Sequence, residues 1–247
     1  MSDAPITTAD TLHPPSDSQA VAPAWHTAGV LLLLLGLVAL GLHSMGAADA
    51  GKHHYRVLGY SITIAAEWLI VGFIALGSRW GGASLRTLAG RIAPDWRSIL
   101  RDLGLAVAYL IAANIILGIL SALLARILGP SQGGLLKNLL PHGALENVIF
   151  LLLALTAGIC EETIFRGYLQ RQFTAWTRNA AAGIVLQGVV FGAAHAYQGL
   201  NQVILIAVYG CLFGLLALWR KSLRPGMMAH FVQDAIGGLM LAKYLPK

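Results

Sequence analysis

Apolar residues gather along this chain in long, nearly unbroken runs separated by short polar stretches. Seven such runs stand out, at about 27–45, 56–78, 99–127, 144–173, 180–197, 201–220 and 225–244. Each is near the roughly 20 residues that a helix needs to cross about 30 Å of hydrocarbon. A run such as GVLLLLLGLVALGL admits only a spanning helix in lipid, because the bilayer core offers no partner for open backbone groups. The pattern predicts an all-α, polytopic transmembrane helix bundle of about seven spans, six to eight at the limits. Segments three and four exceed a minimal span, so they are expected to tilt, break or end at the interface. Between 79 and 98 the stretch SRWGGASLRTLAGRIAPDWR mixes basic and apolar residues, as a segment lying on the membrane surface would.

Residues 1–25 read differently. They hold four of the nine prolines, three acids (Asp3, Asp10, Asp17) and no Lys or Arg. A secretory signal needs a basic region ahead of its apolar one. The segment is therefore expected to be a disordered tail, with N-terminal transmembrane helices over 26–143.

Composition sharpens the picture. The chain is 57% hydrophobic and only 11% charged, against roughly 25% charge in soluble domains. Two Cys in 247 residues exclude a secreted disulfide scaffold. The net charge of +6 comes from Lys and Arg scattered between apolar runs, so no nucleic acid is expected as a partner. With the N-terminus inside, one face receives Arg79, Arg86, Arg91, Arg97, Arg101, Arg166, Arg171, Arg178, Arg220, Lys221 and Arg224. The other receives Lys52, Arg56, Arg126, Lys137, Lys243 and Lys247, a ratio of 11 to 6. That bias favours a cytoplasmic N-terminus in a bacterial-type plasma (inner) membrane.

Acids inside spans are costly and call for a partner or a role. Glu67, Glu161, Glu162 and Asp234 are such acids, and His195 and His230 share their apolar surroundings. In CEETIFRGYLQR, Glu162 and Arg166 stand at i, i+4 in the favourable acid-before-base order, which suits a structural ion pair. Glu161 is about 100° away round the helix and has no local cation. VVFGAAHAYQG puts Phe191 and His195 on one face, and MMAHFVQDAIGG does the same for His230 and Asp234. Each feature alone fits a packing role. Together, within 75 residues, they imply one polar cavity. Glu67 has no ionisable neighbour at helical spacing, and its role stays open. Asn114 and Gln187 suit interhelical hydrogen bonds.

A carboxylate and two imidazoles without a suitable Ser or Cys suit general-base activation of water. The reaction class is hydrolysis, most plausibly of a peptide bond. The three ordered motifs E-E-x-x-x-R, F-x-x-x-H and H-x-x-x-D resemble the CAAX-protease and bacteriocin-processing (CPBP/Abi) family of intramembrane proteases. The resemblance covers about residues 144–242 and implies a catalytic transmembrane core over 144–247. It implies Glu161 as general base, with Glu162 and Arg166 shaping the site and Phe191 supporting it. His195 would bind or activate the water, and His230 with Asp234 would occupy the oxyanion-stabilising position. The eukaryotic prenyl-protein proteases look to have Asn where this chain has Asp234, and an ionised Asp cannot donate. The family resemblance leaves the hydrolase either glutamate-type or a zinc metalloprotease. In the zinc case Glu161, His195, His230 and Asp234 would be the ligands. The metal-free form is favoured here, because no short H-x-x-x-H pair preorganises a site. The implied substrate is a membrane-anchored peptide or protein. A non-catalytic immunity or peptide-binding relative and a proton-coupled transporter are the rival readings.

Overall fold

The computed structural model describes residues 19–48, 54–129 and 140–244. The expected tail over 1–18 lies outside the described residues, as do Lys52, Lys137 and Lys247. The chain forms α1 (Ala24–Ala48), α2 (His54–Trp80), α3 (Leu85–Ala89), α4 (Trp96–Leu128) and α5 (Ala144–Glu161). Then come a π-helical turn (Glu162–Leu169), α6 (Gln170–Thr177), α7 (Ala180–Ala194), a 3-10 turn (Ala196–Gln198), α8 (Leu200–Arg220) and α9 (Arg224–Tyr244). Among the described residues there are no strands, only an isolated antiparallel bridge between Gly90 and Ser222. That bridge ties the segment after α3 to the α8–α9 turn.

Among the described residues, five helical stretches are long and apolar enough to cross a bilayer. They are α1, α2, α4, α8 and the continuous rod Ala144–Thr177. The other two expected spans have helices but fall short of that standard, for separate reasons. Helix α7 has 15 residues, which is about 22 Å of rise. Helix α9 carries His230, Gln233 and Asp234 in its middle, so it lacks the apolar composition.

The bundle turns large apolar side chains outward and encloses a set of polar and charged ones among its apolar core residues. Leu32, Leu35, Leu69, Ile119 and Ile127 are more than 60% exposed, as side chains facing lipid tails must be. His26, Glu67, Glu162, Arg166, Gln172, Gln187 and His230 are all buried. Soluble folds do not expose so much contiguous apolar surface, and this exposure, with the long apolar helices, identifies the chain as an integral membrane protein.

Rod α5–α6 runs through the middle, packed by α2 on one side and α9 on the other. Helix α4 closes over α8 and α9, and α7 pairs with α8. Close approach is set by small residues. A Cβ added at Gly158 on α5 would lie 2.9 Å from the Met227 carbonyl oxygen and 3.1 Å from the Phe231 nitrogen, so α5 and α9 touch backbone to backbone.

Two polar clasps fix the ends of the bundle. Val21 and Ala22 donate their backbone N–H groups to Gln172 Oε1 at 2.8 and 3.2 Å, and Gln172 Nε2 donates to Ala22 O at 2.7 Å. The packed chain therefore starts at least at Val21, inside the segment expected to be tail, because Gln172 supplies the partners a neighbouring strand would. At the start of α4, Asp95 accepts from Ser98 N at 2.9 Å. That hydrogen bond, with one from the Ser98 hydroxyl, holds the Asp95 carboxyl below its ordinary range. One turn on, Asp102 is buried and meets Arg224 Nη2 at 2.6 Å and Arg220 Nη2 at 3.4 Å. Arg224 also reaches Ala93 O at 2.6 Å and Ser98 Oγ at 3.0 Å. Of the basic residues assigned to one loop face, Arg166 is in fact fully buried, and Arg220 and Arg224 are bound to Asp102.

Candidate active site

The site forms where the central rod changes pitch. Thr163 Oγ1 donates back to Ile159 O at 2.7 Å, a bond that bends helices. The ladder then widens to five-residue spacing, as in the bond from Gln170 N to Phe165 O. Such turns gather at functional sites because they re-aim side chains. All eight residues of this one, Glu162 to Leu169, are buried.

Glu162 and Arg166 form the expected ion pair, with Arg166 Nη1 2.9 Å from Glu162 Oε1 and both side chains at most 1% exposed. The guanidinium lies 4.3 Å from the Phe191 ring centre and 4.9 Å from that of Phe213, so two aromatic faces cover the cation. Its Nη2 donates to Gly210 O at 3.3 Å, and Gln187 Nε2 donates to the same oxygen at 2.8 Å. A Cβ at Gly226 would lie 2.9 Å from Glu162 Oε2. Only glycine lets α9 pass this close to the pair.

His230 comes from α9 and stands among three carboxylates. Its Nδ1 is 3.2 Å from Glu162 Oε1. Its Nε2 is 3.6 Å from both Glu161 Oε2 and Asp234 Oδ2, electrostatic contacts just beyond hydrogen-bond range. Both ring nitrogens thus face acceptors and both can donate. Among the described residues no other cation pairs with Glu161, and its side chain is 16% exposed.

His195 sits at the C-cap of α7 rather than within the helix. Its Nδ1 lies 2.8 Å from Phe191 O. A carbonyl only accepts, so Nδ1 carries a proton, and in the neutral imidazole Nε2 is the acceptor. Phe191 stands edge-on to both imidazoles, 4.9 Å from His195 and 6.1 Å from His230 between ring centres. His195 and Asp234 are within electrostatic reach of each other. Every residue singled out from the three motifs therefore lies in one neighbourhood. Among the described residues, no three His, Cys, Asp or Glu side chains converge as a metal site requires.

Sequence reasoning gave Glu67 no role and did not single out Asp102, Tyr109 or Tyr209. Glu67 on α2 is 3% exposed and lies within electrostatic reach of Glu161, His230 and Asp234. Its signal was visible: it continues the buried stripe Ile70, Val71 and Ile74 on its helix, where an apolar residue is expected. Asp102 lies inside the third apolar run, where an acid also calls for a partner. Tyr109 and Tyr209 stack with ring centres 6.1 Å apart beside Phe213. Their hydroxyls are buried without a hydrogen-bond partner among the described residues, and nothing in their sequence context marks them.

The fold and site together define a membrane-embedded helical bundle with a glutamate–histidine centre in its interior. Residues 143–236 match the family described as type II CAAX prenyl endopeptidase Rce1-like, so the resemblance carried by the motifs holds over that segment, less than half of the chain. The chain is also 30% identical over 108 residues to the uncharacterized protein YpbD of Bacillus subtilis (strain 168). That alignment covers 42% of this chain and 51% of YpbD, so the chain spans about half the length of the curated relative it matches. No solved structure matches.

Proposed function

We propose that this protein is an intramembrane endopeptidase that cleaves a membrane-anchored peptide or protein with water activated by Glu161. The observation that carries the reading is the division of labour between adjacent acids. Glu162 is committed to Arg166 at 2.9 Å, while Glu161 has the His230 imidazole at 3.6 Å. A carboxylate not committed to a fixed cation is free to serve as the general base.

In this scheme Glu161 removes a proton from water as the oxygen attacks the scissile carbonyl carbon. His195 Nε2, held as an acceptor by the Nδ1 bond to Phe191 O, orients that water through its second hydrogen. The carbonyl oxygen gains negative charge, and His230 donates to it from Nε2. Asp234 cannot donate when ionised, so it acts by holding His230 in its donating form. Glu161 then returns the proton to the departing amine. Glu162 and Arg166 keep the rod's π-helical turn in register, and Phe191 spaces the two imidazoles. The basic residues near the ends of α2, α3 and α8 suit an anionic cytoplasmic leaflet, with the N-terminus on that side.

The test compares protein termini by mass spectrometry in membranes from cells carrying wild type or Glu161→Gln. Termini made only by wild type support the proposal and name the substrate. A general base is worth about 10²- to 10⁴-fold in rate, so Glu161→Gln should leave next to no product. Identical termini in both, at equal abundance of folded protein, would favour a binding or immunity protein instead.

A further inference from the structure

The peptide on either side of a scissile carbonyl needs a place to lie, and α9 offers one. Seven and eleven residues beyond His230 the helix returns to within about 20° of the same direction. Gly237 and Leu241 therefore look the way His230 does, toward the side of the bundle that holds Glu161 and Glu162. Asp234 stands at the edge of that face. Exposure climbs along it: His230 is 4% exposed, the Asp234 side chain 38% and Leu241 39%. In the other direction the face is shut. A Cβ at Gly226 would press on Glu162, Leu223 is buried, and so is every residue of the π-helical turn. The site thus opens toward the end of α9 that carries Tyr244.

Two adjacent glycines mark where the opening runs. A Cβ added at Gly238 would run into the Phe150 ring of α5, so packing requires that glycine. A Cβ added at Gly237 would have no atom of the described residues within 4 Å. Glycine inside a helix costs about 1 kcal/mol relative to alanine, and packing within the bundle does not require this one. Gly237 lies two turns, about 10 Å, from His230. Room at that distance from the reacting atoms is room for the rest of the substrate.

We propose that Gly237 is a specificity-determining residue. It floors a groove, open to water at the Tyr244 end of α9, in which the substrate lies unwound with a bulky apolar side chain over the glycine. Leu241, one turn further on, continues the floor and makes it apolar. The segment must be unwound because a helix keeps its carbonyls in its own hydrogen-bond ladder, whereas an unwound one can present a carbonyl to His230. The inference rests on the peptidase reading above for what fills the groove, but not for the groove itself.

Labelling tests the groove without any substrate. Full-length Gly237→Cys and Ile236→Cys are reconstituted in phosphatidylcholine vesicles and treated from both sides with a charged maleimide, with wild type as the blank for Cys160 and Cys211. Thiols react as thiolates, so Gly237→Cys in water should label about tenfold faster or more than Ile236→Cys, whose native side chain is 53% exposed on the lipid side. Equal rates, or none above the blank, overturn the groove. For the substrate, the probe is the peptide spanning the new terminus found in the comparison above, with its single-alanine variants. Gly237→Leu should raise KM about tenfold or more at nearly unchanged kcat, and one alanine variant, shortened where the chain crosses position 237, should restore it. A wild-type KM, a loss in kcat alone, or no restoring variant overturns the assignment. Gly237→Leu should unfold no lower than wild type, because a helix gains by losing a glycine, while Gly238→Leu should unfold lower. A lower midpoint for Gly237→Leu contradicts the open space. If Glu161→Gln cleaves as well as wild type, the peptidase reading fails by itself, and the labelling still decides the groove.

Discussion

Arg166 shows how much one side chain carries here. It neutralises Glu162, is covered by Phe191 and Phe213, and shares the Gly210 carbonyl with Gln187. Removing it alone leaves Glu162 buried beside a half-satisfied imidazole. Arg166→Met should therefore lower stability by about 3–5 kcal/mol, the usual result of breaking a fully buried pair. The double variant Glu162→Leu/Arg166→Met should regain most of that loss, since replacing both charges with apolar groups is often neutral. Thermal unfolding in one detergent, with all three proteins, checks both outcomes. Equal stability of wild type and Arg166→Met would refute the account. His26 makes a similar point about local context. It donates from Nε2 to Phe73 O at 3.0 Å and accepts at Nδ1 from the Tyr168 hydroxyl at 2.7 Å. It is a satisfied interior histidine with no catalytic neighbour.

At the scale of elements, the site depends on how closely two helices can lie. The backbone contact of α5 with α9 at Gly158 brings His230 to Glu161 and Glu162. Gly158→Val should push the helices apart, costing about 1–3 kcal/mol of overpacking and more in activity than in stability. Cleavage rate and unfolding midpoint, measured on the same preparation, test that imbalance. The clasp at Asp102 plays the matching part at the membrane surface. Asp102→Ala should cost roughly 2 kcal/mol, less than a fully buried pair, because Arg220 and Arg224 are 21% and 11% exposed. Hydrogen exchange at the first turn of α9 should rise with it. Exchange that is unchanged there would separate the clasp from the helix bearing His230. Helix positions themselves were readable from the chain: the run at 201–220 became α8, and that at 56–78 became α2. The pitch change at Glu162 was not, since a π-helical turn has the same composition as the α-helix around it.

For the whole molecule, the inverted distribution of side chains is the governing fact. The chain should remain in the membrane pellet after an alkaline carbonate wash, and its appearance in the supernatant would contradict an integral bundle. Sequence by itself determined the helical class, the approximate limits of each segment, and the motif residues. Those follow from bilayer thickness and from the expense of placing charge in lipid, both of which act on each segment separately. It also identified the Glu162–Arg166 pair, because i, i+4 spacing is a local relation that survives the change of pitch. Only the tertiary structure decided that Glu67 lies within electrostatic reach of Glu161, that His230 stands among three carboxylates, and that Asp102 gathers two arginines. Their partners lie on other helices, tens of residues away along the chain. Which helices meet is set by small residues and side-chain packing over the whole bundle, and no spacing along one segment records it.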